Sequence, residues 1–201
     1  MPGYFNYGLD HLTIGKAVAL ASGKLKGIIS DSVKQRIKES EDHVRRIVAE
    51  NKTVYGINTG FGILANTKIS EEDTSTLQHK ILQSHSVGVG DCIPTDVAKL
   101  MLITKVHALA KGFSGVQLCT LERIIWHIDN DIIPVVPEKG SVGASGDLAP
   151  LAHLFLPLIG LGKVFTKDNN STRPIQTTEV LKQWEMEAVR LGPKEGLALI
   201  N

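Results

Sequence analysis

Gly140-Ser-Val-Gly-Ala-Ser-Gly-Asp147, continued by Leu148-Ala-Pro-Leu-Ala-His153, is the stretch of this sequence that is most informative about the fold. Glycines and serines precede a run of apolar residues, a composition typical of a loop that opens a buried helix. Asp147 is placed to N-cap that helix, and Pro150 is tolerated in its first turn. The simplest interpretation is an ordinary glycine-rich turn before a core helix.

The tripeptide Ala144-Ser145-Gly146 also allows a chemical interpretation. If the amide nitrogen of Gly146 attacks the carbonyl carbon of Ala144, a five-membered ring closes with loss of water. Loss of a second water from Ser145 gives a methylidene-imidazolone (MIO), an electrophile made from the chain itself. Glycine at 146 suits this ring because it has no Cβ to obstruct the approach and adopts backbone angles that other residues avoid.

Phosphate binding is the other chemistry that a glycine-rich loop before a helix suggests, because backbone amides at a helix N-terminus attract anions. The P-loop pattern is absent, since no lysine follows Gly146 and the acidic Asp147 lies where the anion would bind. The spacing of the glycines at 140, 143 and 146 also differs from the dinucleotide-binding pattern. No nucleotide cofactor is therefore expected.

The composition is that of an ordinary globular protein. Of the 201 residues, 42% are hydrophobic and 21% are charged, and the formal net charge is +1. This balance provides no basic surface for nucleic acid, so we expect a small-molecule ligand and other protein chains as partners. The N-terminal sequence does not resemble a signal peptide, and the longest apolar stretch, 148–162, is too short to span a membrane. A cytoplasmic protein without membrane contact is expected.

The two cysteines and seven histidines show no metal-binding spacing, so no metal is expected. Cys92 and Cys119 are expected to be reduced thiols, with Cys119 in the core, because they form neither a close pair nor part of a dense framework.

Apolar residues recur at helical spacing through most of the chain, which predicts a mainly α fold with glycine-rich loops. The expected helices are 31–50, Ser70 to the glycines at 88 and 90, Thr95 to Gly112, 116–129, 148–162 with a kink at Pro157, 177–192, and one from Pro193 onward. One short β-hairpin is predicted from Lys163-Val-Phe-Thr166 and Arg173-Pro-Ile-Gln176, because a turn-rich segment lies between them.

A second glycine-rich segment, Tyr55-Gly-Ile-Asn-Thr-Gly-Phe-Gly62, lies between two predicted helices. Its glycines suit a loop that folds over a small ligand, although a flexible surface loop has the same composition. Tyr55 can act as a general base only if neighbouring groups lower its pKa from about 10, and otherwise it is a packing residue. His85 is either a substrate-binding residue or a histidine satisfied by local hydrogen bonds; the second interpretation applies more strongly to His153.

Four segments resemble motifs of the histidine and aromatic amino acid ammonia-lyase family, in the order in which that family carries them. They are the tyrosine loop 55–62, the pair Ser84-His85, the MIO signature 140–150, and Lys194-Glu-Gly-Leu-Ala-Leu-Ile-Asn201, which bears an active-site asparagine. The resemblance covers essentially the whole chain and implies a largely helical fold. It identifies 1–201 as the N-terminal, MIO-bearing region of a longer lyase whose later helical bundle is absent, and the last predicted helix is still accumulating apolar residues at its end.

The resemblance also implies roles for individual residues. Ala144, Ser145 and Gly146 would form MIO, and Tyr55 would be the catalytic base or proton relay. Asn201 would hydrogen-bond the prosthetic group or the substrate carboxylate, and His85 would help to select the substrate side chain.

The implied reaction is elimination of ammonia from an L-amino acid to give an α,β-unsaturated acid, with MIO attacked by either the substrate amine or its aromatic ring. Ser84-His85 and 149–153 look most like histidine ammonia-lyases, so we expect L-histidine to be converted to urocanate in histidine degradation. Tyrosine or phenylalanine ammonia-lyase activity, or aminomutase activity, is the alternative.

Family members are homotetramers whose active sites take residues from three subunits, so this chain is expected to hold only part of one site. A non-catalytic helical binding or assembly domain, in which the glycine loops are structural, is the competing hypothesis.

Overall fold

The computed structural model describes residues 3–50, 53–59, 71–143, 146–167 and 173–201. Helices dominate these residues, as the sequence predicted, and the strands are short. In chain order the elements are β1 (Gly3–Asn6), α1 (Ile14–Ala21), β2 (Leu25–Ile28), α2 (Asp31–Ala49), α3 (Glu71–His85), β3 (Val89–Cys92), α4 (Thr95–Leu109), α5 (Leu118–Asp129), β4 (Ile133–Pro134), β5 (Pro137–Lys139), α6 (Leu148–Phe155), β6 (Lys163–Phe165), β7 (Ile175–Gln176), α7 (Thr177–Gln183) and α8 (Glu195–Ile200).

The centre of the core is built by α4 and α5, which pack against each other. Leu102 and Val106 of α4, and Leu121 and Ile124 of α5, are each at most 1% exposed. Within each helix these residues lie three or four positions apart, so each pair shares one helix face. Gly112, with φ of +76°, ends the α4 segment at the predicted position.

The strands form three small sheets among the described residues. The predicted hairpin is confirmed, because β6 pairs antiparallel with β7 through Val164 and Ile175. Strand β4 adds to the free edge of β6 and extends the hairpin to a sheet with the order β4-β6-β7. The parallel pair of β1 with β2 and the antiparallel pair of β3 with β5 have no counterpart in the sequence prediction.

The long helix predicted over 148–162 consists of two helical segments. Helix α6 ends at Phe155, and a 3₁₀ turn continues over Leu156–Ile159. Pro157 lies at the start of this turn, where its missing N–H removes an α-helical hydrogen bond. The expected kink is therefore a change of helix type, and Gly160 ends the segment with φ of +76°.

The helix predicted over 177–192 is wrong in length, because α7 ends at Gln183. Glu185 adopts φ of +51°, and the N–H of Met186 donates to Leu181 O at 2.8 Å, which reverses the chain. The ring of Trp184 packs edge-on against Trp126, with 5.2 Å between the ring centroids. Tertiary contact thus stops a helix that the apolar pattern would allow to continue.

Cys92 and Cys119 are free thiols, and both are exposed. The prediction that Cys119 lies in the core is wrong because the residue is turned away from the α5 face formed by Leu121 and Ile124. Among the described residues, no helix combines the length and apolar character needed to cross a membrane.

Candidate active site

The loop that carries the predicted MIO tripeptide is closed by a hydrogen bond between its two ends. Ser141 Oγ donates to Asp147 Oδ1 at 2.6 Å, and Gly143 N–H donates to Ser141 Oγ at 3.3 Å. Ala144 and Ser145 lie outside the described residues, so the cyclisation of the tripeptide stays a prediction.

The loop leads directly into the N-terminus of α6. Gly146 has φ of +92°, a conformation that favours glycine over residues with a Cβ. Asp147 occupies the N-cap position as predicted, and its carbonyl accepts the N–H of Leu151 at 3.1 Å. Its carboxylate binds Ser141 and makes no capping hydrogen bond to the helix. The Asp147 side chain therefore holds the loop and does not cap α6.

Three helices bring the signature loop, His85 and Asn201 into one region. Helix α3 ends at His85, α8 ends just before Asn201, and α6 begins just after Asp147. Each of these helices packs against the other two. Segments that are far apart in the sequence and that the motifs predicted to share a site are therefore neighbours through their helices.

A cavity of about 560 Å³ lies between α4, the start of α6 and Asn201. Its lining contains both Asp147 and Asn201, whereas His85 and Tyr55 do not line it. The residues around it are Met101, Thr104, Lys105, Ala108, Asp147, Pro150, Leu151 and Asn201. The cavity therefore borders both the end of the signature loop and Asn201, which the resemblance predicts to be an active-site residue.

This cavity contains a lysine that the motifs did not single out. Lys105 Nζ donates to the main-chain oxygen of Asn201 at 2.6 Å. Burial lowers the pKa of Lys105 to about 8, so its ammonium releases a proton more readily than an exposed lysine does. The sequence signal for Lys105 is its position in a highly apolar helix pattern, two residues after Ile103, which is fully buried.

His85 is half-buried at the C-terminal end of α3, and its ring is oriented by local hydrogen bonds. Its Nδ1 lies 2.8 Å from Ile81 O. Because a carbonyl oxygen only accepts, Nδ1 is the donor in this bond. Ser84 Oγ also donates to Ile81 O, at 3.2 Å. These local hydrogen bonds orient the His85 ring through Nδ1, and the substrate-binding role of His85 stays a prediction.

The turn around Tyr55 is organised by two polar side chains that follow it. Val54 N–H donates to Asn58 Oδ1 at 2.9 Å, and Gly56 N–H donates to Thr59 Oγ1 at 3.3 Å. Gly56 has φ of +75°, which the turn requires, and Asn58 and Thr59 are buried. The Tyr55 side chain points outward and is 55% exposed. The rest of this glycine-rich loop, 60–62, lies outside the described residues.

No group of three or more histidine, cysteine, aspartate or glutamate side chains suited to a metal ion occurs in the described ranges. The polar side chains around the cavity are those of Thr104, Lys105, Asp147 and Asn201.

Residues 12–201 match the sequence profile of the family described as "Aromatic amino acid lyase". This chain belongs to the aromatic amino acid lyase family. Among its relatives, the histidine ammonia-lyase of Caldanaerobacter subterraneus subsp. tengcongensis is 45% identical over 192 residues, which are 96% of this chain and 37% of that protein.

Solved structures of this family share the fold. The crystal structure of histidine ammonia-lyase from Trypanosoma cruzi has a TM-score of 0.86 and 36% identity, and the match covers 98% of this chain and 37% of that one. Tyrosine aminomutase from Streptomyces globisporus has a TM-score of 0.88 and 32% identity, with coverage of 100% and 36%. The chain therefore spans a little over a third of the length of these relatives.

Within this aromatic amino acid lyase fold, Glu195 anchors the helix that leads to Asn201. The side chain is 0% exposed, and its Oε1 accepts the N–H of Gln117 at 2.8 Å. Its Oε2 accepts from Gln117 Nε2 at 2.6 Å and from the N–H of Gly192 at 2.7 Å. These bonds tie α8 to the start of α5, although the sequence motif had pointed only to Asn201.

The next residue, Gly196, sets the distance between α8 and α3. A Cβ at this position would lie 2.5 Å from Ile81 Cγ2 and 2.6 Å from Gln78 O. Gln78 Oε1 accepts the N–H of Gly196 at 2.9 Å. Glycine is therefore required here for close helix contact, and this contact places Asn201 relative to the helix that ends at His85.

Proposed function

We propose that this chain is the N-terminal part of an ammonia-lyase that eliminates ammonia from L-histidine to give urocanate. The mutual packing of α3, α6 and α8 carries the proposal, since it brings the elements of His85, the signature loop and Asn201 together. The 45% identity to a protein named histidine ammonia-lyase supports histidine as the substrate.

We propose that Ala144, Ser145 and Gly146 form MIO. The described ends of the loop fit this group, because Gly146 has φ of +92° and the bond between Ser141 and Asp147 holds the flanking residues. When formed, MIO supplies an electrophile that makes the substrate amine a better leaving group. The N-terminus of α6 would favour negative charge that develops next to it.

His85 is proposed to recognise the substrate side chain. With Nδ1 donating to Ile81 O, an unprotonated Nε2 would accept the imidazole N–H of L-histidine. A phenol O–H can donate to the same atom, so this contact alone would not distinguish histidine from tyrosine.

Asn201 is proposed to hydrogen-bond MIO or the substrate carboxylate, and Tyr55 is proposed as the base that removes the β-proton. The exposed ring of Tyr55 fits a site that is completed by other parts of a homotetramer. We propose that such shared sites form in the cytoplasm, where the product enters histidine degradation.

A tyrosine-directed or phenylalanine-directed lyase or aminomutase is the second candidate. It is favoured by the match to tyrosine aminomutase from Streptomyces globisporus, at a TM-score of 0.88 over the whole chain. A non-catalytic helical domain is the remaining alternative, and it predicts an unmodified tripeptide.

The proposal is tested on the full-length protein by incubation with L-histidine, L-tyrosine and L-phenylalanine separately. Conjugated acid products are followed by ultraviolet absorbance, and the products are identified by chromatography so that β-amino acids are also detected. We expect urocanate from histidine, together with an intact mass that is lower than the encoded mass by two waters.

Ser145→Ala is the variant that removes the hydroxyl needed for dehydration, and it should lose the activity. Ser22→Ala is the matched control, because Ser22 is an exposed serine at the C-cap of α1 whose Oγ donates to Ala19 O. A β-amino acid product, or faster conversion of tyrosine or phenylalanine, would favour the second candidate. The full encoded mass without turnover would favour the non-catalytic alternative.

A further inference from the structure

His153 connects the segment after His85 with α6, the helix that follows the signature loop. It lies on α6, where it is half-buried, and its Nε2 accepts the backbone N–H of Gly88 at 2.9 Å. Gly88 is three residues beyond His85 and directly precedes β3. We expected local hydrogen bonds for His153 from its sequence, but its bond is to a residue 65 positions away.

The protonation state of His153 follows from this bond. Because the Gly88 N–H is a donor, Nε2 must hold its lone pair, and the ring is neutral with its proton on Nδ1. Burial lowers the pKa of His153, which favours the neutral ring. His153 is thus an acceptor near neutral pH.

The backbone around Gly88 is also closely packed against the signature loop and α6. A Cβ at Gly88 would lie 3.1 Å from the His153 ring and from Pro137 Cβ. A Cβ at Gly140 would lie 2.9 Å from Gly88 Cα and 3.3 Å from Ala149 Cβ. The start of the signature loop, the start of β3 and helix α6 therefore meet without room for side chains.

We propose that His153 is a positioning residue. Through its bond to Gly88 it holds residues 85–88, which connect α3 to β3, against α6. The inference rests on the proposed function, because the value of this alignment lies in placing His85 relative to MIO and the substrate. His153 is proposed to act on the position of His85, which is proposed to recognise the substrate side chain. Its loss should therefore change substrate binding more than the chemical step.

The test compares His153→Gln with His153→Met in the full-length protein. Glutamine and methionine have similar shapes, but only glutamine offers an acceptor near the position of Nε2. For His153→Met we expect KM for L-histidine to rise about tenfold with kcat changed less than about threefold, the size of one lost hydrogen bond. His153→Gln should restore KM to within about threefold of the parent value.

His107 provides the matched control, because its Nδ1 accepts the N–H of Gly8 at 3.2 Å on another part of the molecule. His107→Met should lower the thermal midpoint and leave KM unchanged. The positioning proposal is overturned if KM is unchanged in His153→Met, if glutamine impairs KM as much as methionine, or if His107→Met has the same effect on KM.

Hydrogen exchange of residues 86–92 separates this proposal from the proposed function. We expect faster exchange in His153→Met than in the parent and near-parental exchange in His153→Gln. A parent protein that converts no amino acid contradicts the proposed function, whereas unchanged exchange in His153→Met contradicts the structural link itself. If His153→Met does not fold, Gly88→Ala displaces the same turn while it keeps the imidazole, and an unchanged KM in that variant overturns the proposal.

Discussion

Replacing Glu195 by alanine tests how the helix before Asn201 is held. The buried carboxylate accepts the backbone N–H groups of Gln117 and Gly192 at 2.8 and 2.7 Å. Alanine removes both oxygens, and the loss of an acceptor for a buried N–H costs about 1–3 kcal/mol. We expect the free energy of local opening to fall by about 2–3 kcal/mol, which makes the two amides exchange roughly 30- to 150-fold faster.

The assay is hydrogen exchange by mass spectrometry on the full-length protein, in peptides that contain Gln117 or Gly192. Glu195→Gln should give a smaller effect, because one of its two side-chain oxygens remains an acceptor. Glu187→Ala is the matched control, since Glu187 is exposed in the segment that precedes α8. Unchanged exchange in Glu195→Ala, or an equal change in Glu187→Ala, would refute the assigned role of this carboxylate.

Three further changes test other parts of the structure. Gly196→Ala should lower the thermal midpoint by the equivalent of about 1–3 kcal/mol, because its Cβ would lie 2.5 Å from Ile81. Gly15→Ala is the control, since a Cβ there enters open space on α1, and it should be neutral or stabilising. Equal thermal midpoints for the two variants would contradict the close contact at Gly196. Burial lowers the pKa of His127 from 6.5 to about 4, so the unfolded state binds more protons between these values, and stability should fall by about 2 kcal/mol from pH 7 to pH 5. His127→Gln should remove that dependence, as read from denaturant midpoints at the two pH values. Gly146→Ala should keep the full encoded mass, because alanine obstructs ring closure and disfavours φ of +92°, and loss of two waters in this variant would contradict that reasoning.

Local sequence patterns were sufficient for elements whose apolar face is continuous. The spacing of Val33, Ile37 and Val44 predicted α2, and these residues are all buried in the core. The pairing of β1 with β2 was missed, because it joins four-residue strands on either side of α1 and carries no alternating pattern. The end of α7 at Gln183 was missed for a related reason, since it depends on the reversal at Glu185 and on packing between distant tryptophans.

The candidate site shows the same division. His85 and Asn201 belong to contiguous motifs and were predicted by resemblance, whereas the contribution of Glu195 depends on Gln117, which lies 78 positions earlier. Lys105 likewise donates to a main-chain oxygen 96 positions away, a contact that its own sequence surroundings do not predict. A polar residue in an apolar helix pattern signals that some partner exists, but its identity depends on the tertiary structure.

The hydrogen bond between Ser141 and Asp147 has a consequence for the kinetics of cyclisation. Joining the ends of a short segment restricts the conformations available to the residues between them, and this loss of entropy occurs when the protein folds. For the proposed cyclisation, the restriction raises the effective concentration of the attacking amide nitrogen at its carbonyl carbon. Removing the Ser141 hydroxyl should therefore slow maturation through a less favourable activation entropy, even where the same MIO group forms in the end.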